Sequence, residues 1–226
     1  MTPPATTRRS YHAPFLDRRE AGRFLATELR AMELDDPIVI ALPRGGVPVA
    51  REIADRLRAP LEIFGVRKLA QPDMPEVGFG AITEDGTRLV DPESARLLGL
   101  RNGDLDRIAA REEAELRRRV ELYRDGRPAP DVRGRTVIVV DDGVATGLTD
   151  AAAIRALRRL GARRIVLAVP VCAGAAVDFL QGEADTLVTL RIPERFRGVG
   201  DSYLDFSQVS DEEVIDALAG PARTAA

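Results

Sequence analysis

Thr136-Val137-Ile138-Val139-Val140-Asp141-Asp142-Gly143-Val144-Ala145-Thr146-Gly147-Leu148-Thr149 is the most informative stretch in this chain of 226 residues. Val137 to Val140 form a continuous apolar, β-branched run, the pattern of a strand buried on both faces rather than one. The strand leads straight into two adjacent carboxylates, Asp141 and Asp142, and then into a small loop, Gly143 to Gly147. A helix follows over about 148–160, stopped by Gly161 with Arg158 and Arg159 in its last turn. In an open parallel sheet, ligands sit beyond the carboxyl ends of the strands, so both acids lie where a ligand would. The free amides at the helix start, with the hydroxyls of Thr146 and Thr149, can receive an anion. Carboxylates beside an anion nest require a ligand that also brings hydroxyl donors. A sugar phosphate meets both demands, with its hydroxyls on Asp141 and Asp142 and its phosphate in the nest.

The flanking sequence supplies the rest of such a sheet. Upstream, Asp17-Arg18-Arg19-Glu20 has the form of a capping box, and Ala21, Phe24, Leu25, Leu29 and Met32 follow at helical spacing, predicting a helix over about 17–33. Ile38 to Leu42 reads as a buried strand ending at Pro43-Arg44-Gly45-Gly46. Helical periodicity runs from Val47 to Leu57, and Leu61 to Val66 reads as a second strand. Lys68 to Thr87, rich in Pro, Gly and acids, reads as a loop with a short hairpin around Phe79 to Leu89; a loop of this length is expected to act as a lid or binding loop. The charged segment Asp104 to Arg124 is expected to be a solvated helix packing one narrow face, with Glu113→Arg117 and Glu115→Arg119 pairs. Downstream come a strand over 165–171, a helix over 173–181 and a strand over 186–192. This alternation predicts an α/β fold with a parallel sheet covered by helices on both faces. Residues 1–14 read as a disordered tail and 15–220 as one domain.

Composition excludes several classes of function. Hydrophobic residues make up 45% and charged residues 31%, ordinary for a globular chain, and no apolar run approaches a membrane span. The start of the chain lacks the apolar core of a secretory signal. One cysteine, Cys172, excludes an intrachain disulfide framework, which together point to the cytoplasm. A formal net charge of −3 gives no basic field for nucleic acid. Lys68 is the one lysine in an arginine-rich chain, which is either compositional chance or a site needing a compact ammonium.

Val137 to Thr149 resembles the signature of type I phosphoribosyltransferases that binds 5-phosphoribosyl-1-pyrophosphate (PRPP), in which strand residues precede two acids and a Thr-Gly loop. The resemblance implies that family's fold, a mostly parallel central sheet flanked by helices with a small hood that includes about 191–208. It places Asp141 and Asp142 on the ribose 2′ and 3′ hydroxyls, and Gly143, Val144, Ala145, Thr146, Gly147 and Thr149 around the 5′-phosphate. Leu42 to Gly46 is similar to the family's pyrophosphate loop, which often contains a cis peptide. There Arg44 would neutralise pyrophosphate charge, and Gly45 and Gly46 would permit close approach. Val66-Arg67-Lys68-Leu69 resembles the basic end of the next core strand, implying Arg67 and Lys68 as further pyrophosphate contacts, and residues 71–86 take the place of the mobile catalytic loop. Arg191 to Gly200 and Tyr203 to Phe206 look like the hood of purine-type members, implying base contacts at Phe196, Val199 and Asp205. Phe196 is read either as a stacking ring or as a core anchor of the hood.

The resemblance also implies the reaction, in which a purine-like base displaces pyrophosphate from C1 of PRPP. Arg44, Lys68, Asp141 and Asp142 would be the catalytic groups, and Mg²⁺ would be held mainly by PRPP close to the two acids. Many relatives are dimers, so a homodimer is expected. Ala145 stands where 6-oxopurine enzymes carry an acid, so no general base is assigned, and His12 is expected to be inert. The rival on the same fold is a non-catalytic sensor of PRPP or nucleotides, for which no helix-turn-helix module or basic stripe speaks. A dinucleotide oxidoreductase rests only on Gly78-Phe79-Gly80, with Thr83 where the third glycine belongs, and is set aside.

Overall fold

The computed structural model describes residues 6–8, 13–71 and 73–219. In chain order these form β1 (Thr6–Arg8), α1 (Arg18–Arg30), β2 (Pro37–Ala41), α2 (Gly46–Leu57), β3 (Leu61–Ile63) and β4 (Val66–Gln71). β5 (Met74–Thr83), β6 (Arg88–Val90), α3 (Pro92–Leu97), α4 (Asn102–Arg124), β7 (Thr136–Val140) and α5 (Leu148–Arg159) follow. The chain closes with β8 (Arg164–Val171), α6 (Gly174–Glu183), β9 (Thr186–Arg191), a 3-10 turn at Val199–Ser202 and α7 (Asp211–Ala219).

The main sheet has the order β1-β9-β8-β7-β2-β3, and every neighbouring pair is parallel. Along β7, Ile138 and Val140 enter one core cluster with Leu25, Leu29 and Ile53 of α1 and α2. Val137 and Val139 enter a second cluster with Ala152, Ala156 and Leu157 of α5. Both faces of this strand are therefore dry, the physical reason its sequence is continuous rather than alternating. Each such aliphatic side chain contributes roughly 1.5–3 kcal/mol on burial. The chain leaves β2 towards β3 on one side, and β7 lies on the other, so the strand order reverses between β2 and β7. Their carboxyl ends form the crevice where ligands enter open α/β sheets.

Three expectations need correction. The strand over 61–66 is interrupted at Phe64-Gly65: β3 ends the main sheet there and β4 begins a second one. A Cβ on Gly65 would stand 2.8 Å from Glu84 Oε2, the atom that accepts the Gly65 amide at 2.6 Å. The loop over 68–87 is instead mostly sheet, with β4, β5 and β6 forming an antiparallel ribbon; the expected hairpin is its β5–β6 half. The ribbon packs with α3 and α4 around Leu69, Phe79, Ile82, Ile108 and Leu116, a third core cluster on which α4 lays one narrow face while most of its surface stays solvated. Residues 6–8, read as part of a tail, run as a strand beside β9, whose outer edge offers a free ladder of backbone groups.

The start of α1 is close to expectation. Asp17 accepts the Glu20 amide at 2.7 Å, while the Glu20 carboxylate reaches one residue further back, to the Leu16 amide at 2.6 Å. Among the described residues no helix is long and apolar enough to cross a membrane.

Candidate active site

The loop after β2 is a tight turn held onto β7. Leu42 donates its amide to the Val140 carbonyl at 2.9 Å, Gly46 to Leu42 at 3.1 Å, and Val47 to Arg44 at 3.1 Å; the Pro43–Arg44 peptide is cis. Two glycines let this turn lie flat on the end of β7. A Cβ at Gly45 would be 2.5 Å from Asp142 Cγ, and one at Gly46 would be 2.5 Å from the Val140 carbonyl oxygen. The turn thus carries Arg44 to the switch point. There its Nη1 lies 3.5 Å from Asp211 Oδ1, which also accepts the Tyr123 hydroxyl at 2.5 Å. That hydrogen bond and the surrounding arginines hold the Asp211 carboxyl below the usual range.

Beyond these strand ends opens a cleft of about 390 Å³. Asp141 and Thr149 line one wall, Leu42 and Pro43 its base, Arg67 and Lys68 of β4 a second wall, and Arg111 and Arg119 of α4 the roof. Arg67 is aimed by Glu112 of α4, whose Oε2 accepts its Nε at 2.6 Å. The stem of Lys68 crosses Gly78, where a Cβ would meet its Cδ at 2.7 Å. The charged lining is therefore mostly cationic, with Asp141 and the Arg67-paired Glu112 as its acids, an arrangement suited to a polyanion bearing hydroxyls.

The loop between β7 and α5 divides its amides. Val144, expected to face the phosphate, instead donates to the Val171 carbonyl at 2.9 Å and accepts from Ala173 at 2.9 Å. It acts as a tie to β8, not as an anion donor. Gly143 lies beneath the side chains of Val199 and Val171. The amides of Ala145, Thr146 and Gly147 meet no protein acceptor among the described residues. With the left-handed turn at Gly147 (φ 80°) they open onto the start of α5, forming an anion nest.

The two motif acids differ in setting. Asp141 lines the cleft, and its Oδ1 accepts the Asp142 amide at 2.8 Å. The Asp142 carboxylate turns instead towards Gly45 and Arg18, whose Nε donates to its Oδ2 at 2.8 Å. Burial, and then the neighbouring Asp142 and Asp150, push Asp141 well above the usual carboxylate range. Burial also raises Asp142, with Arg18 pulling the other way. A third acid, Asp150 in the first turn of α5, is 3% exposed, and its Oδ1 has no partner among the described residues. Burial pushes it up to about 7, and burial plus Asp150 push the Cys172 thiol up to about 12.

A raised carboxyl pKa makes the folded state bind the proton more tightly, so its stabilisation is complete below the ordinary value of 3.8 and is lost as pH rises to about 7. Stability should fall across that window. Asp150→Asn should flatten the fall and be on the order of 1–3 kcal/mol more stable than the parent at pH 8. Urea denaturation at pH 5 and pH 8 measures both; equal slopes in parent and variant would remove Asp150 from this role.

The hood residues are distributed otherwise than expected. Phe196 is half-buried and packs against the main core cluster, the anchor reading of that ring. Val199 packs over Gly143, and Asp205 is exposed, accepting the Ser207 amide at 2.9 Å. The ring that carries a cation is Phe206: the Arg18 guanidinium lies 3.9 Å from its centroid, and Phe206 stacks on Tyr203 at 5.0 Å. Sequence reasoning does not single out Arg18, Arg111, Arg119, Tyr123, Tyr203 or Asp211 as site residues. Only Tyr203 and Phe206 carry a signal, as part of the hood segment. His12 lies outside the described residues.

Comparison with known proteins agrees with this geometry. The family model described as phosphoribosyl transferase domain matches residues 16–203. Two curated proteins from strains of Mycobacterium tuberculosis, each named "Putative phosphoribosyl transferase", are 44% identical over 204 residues, 90% of this chain. This chain spans 46% of the length of those relatives. A crystal structure of a protein from Thermus thermophilus is 44% identical with a TM-score of 0.75, covering 91% of this chain and 97% of that one. A protein of Aquifex aeolicus, 13% identical with a TM-score of 0.52, covers 89% of this chain and 84% of its own and shares the fold. The matched residues take in the β2 turn, the ribbon, α4 and the β7–α5 loop, every element that lines the cleft, and the chain belongs to the phosphoribosyl transferase domain family.

Proposed function

We propose that this domain transfers the 5-phosphoribosyl group of PRPP to a ring nitrogen of a purine-like base and releases pyrophosphate. The observation that carries the reading is a cleft lined by Asp141 and Thr149 together with Arg67, Lys68, Arg111 and Arg119, with the Arg44 turn and the amide nest adjoining it in the chain. Asp141 and the amide nest suit a ribose 5-phosphate, while Arg44, Arg67 and Lys68 suit a diphosphate leaving group. In the reaction the bond from C1 of the ribose to the pyrophosphate oxygen breaks, taking its electron pair, and a bond from C1 to the acceptor nitrogen forms. Arg44, Arg67 and Lys68 stabilise the departing charge, and Asp141 orients the ribose and offsets the positive charge that develops on it. The acceptor's proton passes to solvent, since no residue is assigned as its base.

Among the described residues no group of three or more His, Cys, Asp or Glu could hold a metal ion, which fits a hydrated Mg²⁺ carried by the substrate, with Asp141 the protein group in the cleft placed to hold it. Bound to pyrophosphate, Mg²⁺ would supply further neutralisation of the leaving group. The same reading assigns the domain to the cytoplasm, as a homodimer acting on small molecules rather than on nucleic acid or membranes.

Incubation with PRPP, Mg²⁺ and a panel of nucleobases should release pyrophosphate only when the right base is present. Tight PRPP binding without pyrophosphate release for any base of the panel would favour the sensor reading instead.

A further inference from the structure

We infer that Arg18 is a positioning residue of the phosphoribosyl site, acting through Asp142 and held in place by Phe206. The inference rests on the reading above and adds a residue that lies outside the segments resembling the family's PRPP motifs. Asp142 is the second motif acid, and its amide holds the Oδ1 of Asp141, the acid that faces the ribose, yet its own side chain is only 14% exposed. A Cβ on Gly45 would strike its carboxyl, and the charges of Asp141 and Asp150 act on it. A buried carboxylate there cannot keep both its charge and its orientation unaided. Arg18, at the first turn of α1, supplies the counter-charge at 2.8 Å and is itself only 11% exposed.

Arg18 is fixed on each of its sides. Its Nη1 donates to the Ser207 carbonyl at 2.8 Å, and its guanidinium lies 3.9 Å from the Phe206 centroid. Phe206 stacks on Tyr203, and the Tyr203 hydroxyl donates back to the Asp142 carbonyl at 2.5 Å. The contacts close a ring that runs from Arg18 to the Asp142 carboxylate, along the Asp142 backbone to Tyr203, through Phe206 and back to Arg18. A lone surface ion pair would contribute little. This one is mostly buried, within cation–π reach of an aromatic ring, and oriented by a second hydrogen bond, the setting in which an ammonium replaces a guanidinium only in part. The ring is also how residues 203–207, which otherwise pair with Phe15 and Leu16, reach the end of β7.

The test is calorimetric titration of PRPP with Mg²⁺, and separately of pyrophosphate with Mg²⁺, into the whole chain. Arg18→Met should weaken PRPP binding by about tenfold or more, the usual weight of a lost hydrogen bond to a charged group. Arg18→Lys should recover part of that loss, and Phe206→Leu should show a smaller loss in the same direction. Pyrophosphate binding should stay within about twofold of the parent, because Arg44, Arg67 and Lys68 are untouched. Because Arg18 acts through Asp142, adding Arg18→Met to Asp142→Asn should cost little beyond Asp142→Asn alone.

The inference is overturned if Arg18→Met binds PRPP as the parent does, if it loses PRPP and pyrophosphate alike, or if its penalty adds in full to that of Asp142→Asn. Should Arg18→Met fail to fold, Arg18→Lys and Phe206→Leu carry the same comparison, and parental PRPP binding in both overturns it. A parent chain that binds neither ligand refutes the proposed function itself, a result distinct from any difference among variants.

Discussion

Asp141→Asn should lower kcat/KM for PRPP by about two to three orders of magnitude, the usual cost of removing one preorganised electrostatic contact, while making the fold more stable. Both signs follow from the same placement. Asp141 is the motif acid that lines the cleft, and burial with Asp142 and Asp150 beside it makes its ionised form costly. The amide of asparagine preserves shape and can still accept the Asp142 amide, but carries no charge to be desolvated or repelled. The thermal midpoint should therefore rise, and by more the higher the pH, since ionising the parent carboxyl is what the fold resists. Rate measurements on the transfer reaction and a melting curve at pH 8 check the pair. A variant that is both less active and less stable would place Asp141 in the scaffold instead of the chemistry. Opposite movement of activity and stability is the signature of a site held under electrostatic stress for function.

Gly46→Ala should destabilise the domain by about 3 kcal/mol, at the upper end of what overpacking costs, and displace the turn that carries Arg44. The added methyl would stand 2.5 Å from the Val140 carbonyl oxygen and 3.0 Å from the Asp141 Cα, both backbone atoms of the central strand. Neither can move without breaking the β2–β7 pairing, in which Ala41 faces Val140. Gly45→Ala provides the contrast. Its methyl would meet the end of the Asp142 side chain, which can swing aside by giving up Arg18. The expected order is a larger loss of stability for Gly46→Ala and a larger loss of PRPP binding relative to stability for Gly45→Ala. Urea denaturation and PRPP titration on the two variants measure it; equal and small effects from both would mean that the turn does not lie against β7.

How much of this is legible in the sequence depends on whether a feature is local. β7 and its two acids are readable because burial on both faces writes a continuous apolar run, and because the anion nest follows within a few residues. The ribbon reads as a loop for a reason visible in its glycines. At Gly80 a side chain would strike the Leu89 carbonyl of the neighbouring strand, and at Gly78 the Lys68 stem. The close packing that makes β5 a strand therefore demands the residues that make it read as a loop. Arg18 is illegible for another reason. It contacts Asp142 across 124 residues, and in a chain this rich in arginine no composition signal separates it from its neighbours. α4 is legible as a helix, yet its function is hidden. Among the charges of this helix, Glu112 aims Arg67, and Arg119, which looks like one half of a solvated i,i+4 pair, lines the cleft. Val144 shows the limit of a motif, since its place in the loop suggests a phosphate contact while its amide is committed to β8.

A crystal structure of the chain with PRPP or a non-hydrolysable analogue and Mg²⁺ puts the whole reading to trial. The 5-phosphate should sit at the amides of Ala145, Thr146 and Gly147, a ribose hydroxyl on Asp141, and the diphosphate between the Arg44 turn and Arg67 and Lys68. Ligand density elsewhere on the molecule, or a diphosphate lying on the Asp141 wall with the ribose turned to the arginines, would refute it.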